Sequence, residues 1–460
     1  MLFSSNVFLF AFLPTVLAVY YLVPRVLRNP VLLLVSLVFY GWGEPVYLLL
    51  MLAAILLNYG FGLWIWALRR KGKGAKAVLA AGVAANLLLL GYFKYASFLM
   101  SAISTVIPGL QRISVPQVEL PIGISFYIFQ SMSYIIDIYR DDAPVQKNPL
   151  TFGTYVALFP QLIAGPIVRY RDVAQQLSSR RENLNDFSSG VLLFIVGLSK
   201  KVLLANPMGE AWLQLQCETG LAAAWIGLAA YTLQIYFDFS GYSDMARGLG
   251  RMFGFEFLEN FRYPYISVSV TEFWRRWHIS LSTWFREYVY IPLGGNRRGK
   301  GRQLLNLLIV WFLTGLWHGA SWNFALWGLY YAVLLILEKL FLLRVLEKLP
   351  KPAKHLYTLL VVMIGWALFY FEDLGALGEF MGRLWIPVPA SSGSLPLIAS
   401  FLPLMAVAAF AATPIPASLA VKRDTPALRF VKAAAAACAL LLCVGALASQ
   451  SYNPFIYFRF

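Results

Sequence analysis

The sequence predicts an all-α polytopic membrane protein, and three observations lead to this fold class. Hydrophobic residues make up 59% of the 460 positions and charged residues only 13%, with a mean hydropathy of +0.65. Apolar stretches of about 17 to 25 residues, the length of a membrane-spanning helix, recur along the chain. The 34 Phe, 25 Tyr and 14 Trp leave too few polar side chains to cover a water-facing surface. Soluble, fibrous and disordered classes are therefore excluded.

About 11 to 12 apolar stretches are predicted to form transmembrane helices, because unpaired backbone groups cannot face hydrocarbon. They are centred in residues 5 to 23, 31 to 43, 46 to 68, 77 to 99, 120 to 139, 187 to 206, 222 to 240, 303 to 319, 322 to 343, 357 to 371, 396 to 412 and 431 to 449. Several are short, so tilted or broken helices are expected. The first stretch has no positive charge before it and Arg25 and Arg28 after it, which predicts a retained span and not a cleaved signal peptide.

Two further apolar stretches, 150 to 167 and 264 to 293, are interrupted by prolines and glycines, and the second also carries charges. We interpret both as re-entrant or interfacial helices. Broken backbone is tolerated at membrane depth only where protein or a water-filled cavity satisfies it, so these stretches indicate a buried site. Kinked peripheral helices are the alternative.

The charge balance of +16 would suggest nucleic acid in a soluble protein, but here it first indicates membrane orientation. An N-terminus outside the cell places nearly all Lys and Arg in cytoplasmic loops, which include 169 to 186, 296 to 302 and 422 to 432. Both termini are then extracytoplasmic. The basic loops are expected to contact membrane lipid, with recognition of an acidic or nucleotide-bearing donor as the alternative. No nucleic-acid partner is predicted.

Residues 1–460 are predicted to form a single membrane domain, because no period of 20 to 50 residues recurs. The two halves do not mirror each other in hydropathy, which argues against an inverted-repeat transporter. Three cysteines are too few for a disulfide framework. The sequence contains no GxSxG, Walker GxxxxGK[ST], HExxH or paired metal-spaced cysteines. No bound metal, permanently bound cofactor or ATP-driven activity is therefore expected.

His318 is the best candidate for a general base. It lies beside Trp317 near the end of an apolar stretch, and an ionisable residue inside a membrane indicates a functional site. A buried imidazole tends to be neutral and can accept a proton from a hydroxyl or a thiol. A structural hydrogen bond between helices is the alternative role.

His278 lies inside the second broken stretch, in RRWHISLS, with Arg275 and Arg276 just before it. A surface helix with arginines reaching to the interface would have this composition. The functional interpretation is that His278 and the neighbouring polar groups line a cytoplasm-facing tunnel that ends at His318.

Asp238 and Asp244 flank a Gly-Ser bend at the inner end of a span, where an acid is costly unless it is paired or hydrated. Arg247 and Arg251 are at helical spacing from Asp244, which favours a structural ion pair. Asp238 lies further into the apolar run, so we expect it to orient a histidine.

Residues 451–460, SYNPFIYFRF, form an aromatic tail that is unlikely to sit free in water on composition alone. It either lies in the interface as part of an aromatic belt, or it folds back into the protein and presents a hydroxyl group.

Six long segments carry a resemblance to a known family: FSSNVFLFAFLP, ELPIGISFYIFQSMSYIIDIYR, FPQLIAGPIVRY, YFDFSGYSDMARGLGRMFGFEFLENFRYPY, FWRRWHISLSTWFREYVYIPLGGNR and GLWHGASWNF. They resemble the membrane-bound O-acyltransferases (MBOAT), in particular the bacterial branch that contains the alginate O-acetylase membrane subunit. The resemblance implies a ring of helices around a thin centre that is crossed by a tunnel. It also implies that His318 is the catalytic histidine and that His278 occupies the second motif position. We expect that the tunnel is lined or supported by Asp238, Trp317, Arg275, Arg276 and Asn323.

The tail motif FIYFRF resembles that of the small protein that works beside the teichoic-acid D-alanyl-transferring member of the family. This resemblance implies that Tyr457 accepts the acyl group. Because no soluble SGNH-type domain is present, the family resemblance implies a separate extracytoplasmic SGNH-type acyltransferase as the partner. We expect acetyl-CoA as the acyl donor.

The sequence therefore predicts an O-acetyltransferase of the bacterial cytoplasmic membrane that exports an acyl group for O-acetylation of an extracellular or cell-wall polysaccharide. Two other functions stay open from the residues alone. One is a transporter or flippase of a lipid-linked sugar, with His318 and Asp238 as a proton relay. The other is a non-catalytic scaffold that recruits an extracytoplasmic acyltransferase.

Overall fold

The computed structural model describes residues 1–107, 118–163, 165–421, 425–449, 453, 455 and 456. All regular secondary structure in these residues is helical, which confirms the predicted all-α class. The chain divides into two compact units, residues 1–191 with 246–258 and residues 192–245 with 259–460.

The described helices, in chain order, are α1 (Leu13–Leu22), α2 (Arg28–Gly41), α3 (Tyr47–Arg70), α4 (Lys76–Val106), α5 (Ile124–Arg140), α6 (Pro149–Ala157), α7 (Phe159–Leu162), α8 (Tyr170–Ser179), α9 (Leu184–Ser199), α10 (Asn206–Leu215), α11 (Leu221–Met252), α12 (Val270–Arg276), α13 (Ile279–Phe285), α14 (Lys300–His318), α15 (Trp322–Leu337), α16 (Leu343–Glu347), α17 (Lys351–Tyr370), α18 (Leu374–Arg383), α19 (Ser394–Ala411), α20 (Ile415–Val421) and α21 (Pro426–Ser449). Short π-helical segments cover Phe8–Phe12, Lys200–Ala205, Arg286–Tyr290 and Glu338–Leu342, and 3₁₀ turns cover Arg25–Leu27 and Pro264–Ile266.

All twelve predicted apolar stretches fall on helices, and six of them lie on helices that are long and apolar enough to cross a membrane. These six helical stretches are Tyr47–Arg70, Lys76–Ser104, Leu184–Leu215, Lys351–Tyr370, Ser394–Ala411 and Pro426–Ser449. Four of the other six stretches lie on α-helices of fewer than 18 residues, such as α2 and α5, and the remaining two lie on α11 and α14. The protein is thus a multi-pass membrane protein, with some spans shorter or less apolar than the sequence pattern suggested.

In the first unit, the stretch 150 to 167 is broken as predicted. Asn148 caps α6 by accepting hydrogen bonds from the N–H groups of Leu150 and Thr151. The helix then stops at Leu158, whose ψ of 111° is extended, and α7 begins at the next residue. Every residue from 151 to 163 is buried, so the protein itself surrounds this irregular backbone.

Polar side chains also join helices inside the first unit. Asn58 of α3 and Asn86 of α4 exchange two amide hydrogen bonds, of 3.0 and 2.7 Å, and both are buried. Near the start of α9, Glu182 accepts a hydrogen bond from Tyr20 Oη at 2.7 Å and pairs with Arg28 at 2.7 Å. Amide and carboxylate groups are retained in an apolar interior when their partners are built in, as they are here.

The core of the second unit is rich in aromatic side chains that come from α10, α11, α12, α15 and α17. The 264 to 293 stretch is again broken, into a 3₁₀ turn, α12, α13 and a π-helical segment. Both stretches that the sequence marked as interrupted are therefore irregular in the structure. Their depth relative to a bilayer stays a prediction.

Candidate active site

Helices α14 and α15 form a tightly packed hairpin that places His318. A side chain on Gly315 would collide with the Phe324 carbonyl, and one on Gly328 would collide with the Trp311 carbonyl. Glycine at both positions lets the two backbones approach closely, as small residues do between membrane helices. His318 is the last residue of α14, so the chain turns away directly after the imidazole.

The imidazole of His318 is 5% exposed and is surrounded by aromatic rings. Its centroid lies 5.0 Å from the ring of Trp317, 5.1 Å from Trp327 and 5.2 Å from Phe369, each in an edge-to-face arrangement. These rings fix the imidazole plane and exclude bulk water. A nitrogen base in such a place is held in one orientation and is poorly solvated.

His278 lies close to the same cluster, although it is forty residues earlier in the sequence. Its ring centroid is 5.9 Å from that of Trp317, and the Trp317 ring therefore contacts both imidazoles. His278 is 1% exposed and lies between α12 and α13 with a left-handed backbone, φ 46° and ψ 53°. A non-glycine residue in this region costs on the order of 1 kcal/mol or more, so the surrounding structure must hold it there.

Asn260 and Glu338 hold the two short helices on either side of His278. The Asn260 carbonyl accepts the N–H of Ile279, and its Oδ1 accepts both the N–H and the Oγ–H of Ser280, each at 3.0 Å. Glu338, which is 1% exposed, accepts the N–H groups of Val270 and Thr271 at 2.7 and 2.8 Å. Asn260 and Glu338 thereby satisfy N–H groups in the first turns of α13 and α12.

We expect Glu338→Gln to loosen α12 and lower the stability of the protein. The carboxylate accepts four hydrogen bonds, from Val270 N–H, Thr271 N–H, Thr271 Oγ and Tyr357 Oη, and an amide would oppose at least one donor with its own NH₂. Leaving buried donors unsatisfied costs about 1–3 kcal/mol. The measurement is thermal unfolding of the purified protein in detergent. Glu347→Gln, a matched change at an exposed glutamate of α16, should leave the midpoint unchanged, and equal midpoints in both variants would contradict the capping role.

A cavity of about 350 Å³ lies beside His278, and we call it the basic cavity. Its charged lining residues are Arg275, Arg286 and Lys339, and His278 forms part of the wall. Trp274, Trp311 and Thr314 contribute further lining from α12 and α14. The cavity thus combines apolar surface with three cations.

A second cavity, of about 470 Å³, lies at the end of α17 and the start of α18, and we call it the acidic cavity. Its charged lining residues are Glu372 and Asp373, next to Phe369, Tyr370 and Tyr231. Phe369 is also a ring neighbour of His318. His318 is therefore linked to the acidic cavity through Phe369 and to the basic cavity through Trp317 and His278.

Asn323, at the start of α15, holds the end of α17 in place. Its Nδ2 donates to the carbonyls of Leu368 and Phe369 at 3.4 and 3.3 Å, and its Oδ1 accepts from Ser321 Oγ. The residue is fully buried. Because Phe369 packs on His318, Asn323 acts on the site through this aromatic ring.

Arg275 and Arg276 have different surroundings. Arg275 lines the basic cavity, as the sequence predicted for a tunnel residue. Arg276 forms an ion pair with Glu272 one turn earlier, at 2.8 Å, and its Nη1 donates to the Arg262 carbonyl. The structure thus brings His318, His278, Trp317, Arg275 and Asn323 to one region and gives Arg276 a local pairing.

Asp238 forms a buried ion pair with Lys201. Lys201 Nζ lies 2.7 Å from Asp238 Oδ1, and the side chains are 4% and 1% exposed. Asp238 Oδ2 accepts the N–H of Ile456 at 2.9 Å. The sequence led us to expect a histidine beside Asp238, but both carboxylate oxygens have these other partners. Asp244 pairs with Lys200 at 2.6 Å, an ion pair that crosses from α11 to the π-helical segment.

Tyr457 directly follows Ile456 but lies outside the described residues, so its approach to His318 stays a prediction. No functional role was predicted from the sequence for Lys201, Glu338, Asn260 or Phe369. A signal was present for the first two, because Lys201 and Glu338 are ionisable residues inside otherwise apolar stretches. Asn260 and Phe369 carry no comparable sequence signal.

Comparison with known proteins agrees with this architecture. A model of the membrane-bound O-acyltransferase family matches residues 140–374, which include both histidines and Asp238. The probable alginate O-acetylase AlgI of Pseudomonas putida is 42% identical over an alignment that covers 100% of both chains. The peptidoglycan O-acetyltransferase of Helicobacter pylori is 33% identical over 81% of this chain and 78% of its own. The teichoic acid D-alanyltransferase of Bacillus subtilis is 28% identical over 55% of this chain and 67% of its own.

The Pseudomonas putida and Helicobacter pylori relatives, at 42% and 33% identity, cover 100% and 81% of this chain, and the family model spans more than half of it. Combined with the all-helical multi-pass fold, these matches confirm the resemblance that the sequence motifs indicated. The chain belongs to the membrane-bound O-acyltransferase family and is an acyltransferase.

Proposed function

We propose that the protein transfers an acetyl group from a cytoplasmic thioester donor across the bacterial cytoplasmic membrane, where it serves O-acetylation of an extracellular or cell-wall polysaccharide. The names of the relatives support this class of acceptor, since they include an alginate O-acetylase and a peptidoglycan O-acetyltransferase. The alginate relative is similar over its full length.

The observation that carries the proposal is the place of His318. The imidazole contacts the rings of Trp317 and Phe369. Phe369 lines the acidic cavity, and Trp317 contacts His278, which lines the basic cavity. A base that is connected to two separate cavities through its ring neighbours suits a transfer in which donor and acceptor approach from different sides. His318 is the catalytic residue in this proposal, and His278 positions the donor.

The lining of the basic cavity supports an anionic donor such as acetyl-CoA. Arg275, Arg286 and Lys339 present three positive charges beside an apolar wall. Phosphate groups are attracted by such clusters, and an acyl chain with its thioester suits the apolar part. The orientation predicted from Lys and Arg places the adjoining 296 to 302 loop in the cytoplasm, where acyl-CoA is available.

Tyr457 is the proposed acyl relay. The phenol oxygen of Tyr457 attacks the thioester carbonyl while His318 takes the phenol proton. The C–S bond then breaks, and His318 passes the proton to the leaving thiolate. A phenol with a pKa near 10 lies between a thiol near 8.5 and an alkyl alcohol, so an aryl ester keeps most of the transfer potential of the thioester. An extracytoplasmic SGNH-type acyltransferase would then deliver the acetyl group to the sugar.

Incubation of proteoliposomes with acetyl-labelled CoA tests the reaction. We expect the label to become covalently bound to the protein with release of free CoA, and His318→Ala to abolish both. A flippase would give neither label nor CoA release in the wild type. If the protein were only a scaffold, cells that carry the His318→Ala variant would still acetylate the polysaccharide. Either result would overturn the proposal.

The orientation predicts which residues react with an impermeant thiol reagent in intact cells. In a background without the native cysteines, Lys71→Cys and Arg298→Cys should be protected, because basic loops face the cytoplasm. Ser392→Cys, in the loop before α19, should be labelled. All three residues are exposed at the protein surface, so protection from the reagent cannot result from burial inside the protein. Labelling at residue 71 with protection at residue 392 would invert the orientation.

A further inference from the structure

The described residues near the end of the chain are packed inside the second unit. Phe455 and Ile456 are 4% and 6% exposed. The Phe455 ring stacks on Tyr242 of α11 with a centroid distance of 4.6 Å and an angle of 25°. Asn453 Oδ1 accepts a hydrogen bond from Asn206 Nδ2, at the start of α10, at 3.3 Å. This part of the tail folds back into the protein, as one of the two sequence alternatives expected.

We propose that Lys201, Asn206, Asp238 and Tyr242 form a peptide-binding site, which is occupied by the chain's own Asn453, Phe455 and Ile456. Tyr242 recognises an aromatic side chain, Asn206 recognises a polar one, and the Asp238 carboxylate recognises a backbone N–H. The site therefore reads both the side chains and the main chain of a short segment.

The ion pair suits this task for a physical reason. A carboxylate only accepts hydrogen bonds, so it is matched to a backbone N–H that would otherwise be buried without a partner. An isolated carboxylate in an apolar interior is strongly disfavoured, and Lys201 on the other oxygen offsets its charge. Each oxygen of Asp238 thus has a different role, one toward the body of the protein and one toward the bound segment.

The helix that leads to this segment makes the site necessary. Most of α21 faces outward, with Cys443 as its buried residue, and the helix packs on the π-helical segment Lys200–Ala205. Cys443 Sγ lies 3.7 Å from Ser199 Oγ. Because α21 itself buries little surface, the contacts of Asn453, Phe455 and Ile456 anchor the tail. The proposal does not depend on whether the tail carries an acyl group.

Crosslinking in the full-length protein tests the site. Asn206→Cys and Asn453→Cys, in a background without Cys217, Cys438 and Cys443, place two thiols at the 3.3 Å contact. A short bifunctional maleimide should join them rapidly within one chain, as seen by mass spectrometry after proteolysis. Adding Ile456→Pro removes the one N–H that Asp238 accepts and leaves the helical body unchanged. Loss of a hydrogen bond to a charged group should slow the crosslink by about tenfold or more.

Control variants distinguish loss of the peptide-binding site from a general loss of folding. Ile456→Val keeps the backbone N–H, and Asp244→Asn alters the neighbouring ion pair with Lys200, so both should crosslink at the parent rate. The double variant Lys201→Met with Asp238→Leu removes both charges without leaving one unpaired, and should slow the crosslink as Ile456→Pro does. Parent-like crosslinking in Ile456→Pro and in the double variant would overturn the proposal. No step of this experiment requires donor or acyl transfer, so its failure is distinct from failure of the proposed function.

Discussion

Replacement of His318 by alanine is expected to reduce acyl transfer by about 10²- to 10⁴-fold, the usual contribution of a positioned general base. The imidazole is held by Trp317, Trp327 and Phe369, and in the alanine variant these three rings would remain in place around a small void. The variant should therefore still insert and express. The measurement is release of CoA from acetyl-CoA by the purified protein, normalised to the amount of folded protein.

His355→Ala is the matched control, because His355 lies on α17 and contacts the Ser267 carbonyl, away from the aromatic cluster of His318. It should retain activity. The acyl-transfer activity of His278→Ala should lie between those of His318→Ala and His355→Ala. This variant should also bind the donor more weakly, since His278 lines the basic cavity. Wild-type transfer by a normally expressed His318→Ala protein would contradict its role as the base. Equal and total loss at His318 and His278, with unchanged donor binding, would show that the two histidines act as a catalytic pair.

Replacement of Tyr457 by phenylalanine is expected to abolish outward transfer, because it removes the proposed nucleophile and keeps the aromatic ring. Donor binding should be unchanged. Intact-protein mass spectrometry of the wild type should show an acetyl adduct on the peptide that contains residue 457, and the variant should lack it. Ile456, which directly precedes Tyr457, is buried and donates its N–H to Asp238. This fixed point in the chain supports a defined place for the relay.

Tyr452→Phe is the control for this experiment, since it makes the same chemical change at another tyrosine of the tail. It should leave both the adduct and the transfer intact. Full activity of Tyr457→Phe would exclude the relay and favour direct transfer from the donor to the partner at His318.

The helical architecture could be predicted from the sequence because it depends on local pattern. A run of apolar residues must satisfy its backbone within itself, so stretches such as 46 to 68 could be assigned without knowledge of their neighbours. Interrupting residues had the same local effect at Leu158, where the predicted break was found. The number of full-length spans was less predictable, since α2 has only 14 residues, fewer than a complete crossing requires.

The arrangement of the candidate site could be predicted only in part, because it depends on contacts between distant residues. The motifs marked His318 and His278 separately, but their common contact with Trp317 depends on the left-handed turn at His278 and on the glycine packing of α14 against α15. Neither the positive φ of a histidine nor the close approach of two helices has a reliable sequence signal.

Asp238 shows the same limit for electrostatics. A carboxylate in an apolar helix requires a partner, and this requirement was visible in the sequence. The identity of the partner was not, because Lys201 and the backbone of Ile456 reach Asp238 from distant parts of the chain. A main-chain donor leaves no trace in the amino-acid pattern.

The contact between Ile456 and Asp238 also has a consequence for biogenesis. The two residues are 218 positions apart. At about 5–20 residues per second, a ribosome needs roughly 10 to 40 s to synthesise that interval. Lys201 precedes Asp238 and is already present when α11 enters the membrane, so it can neutralise the carboxylate throughout the delay. We therefore expect the ion pair to keep Asp238 from entering lipid as a lone charge before Ile456 has been synthesised.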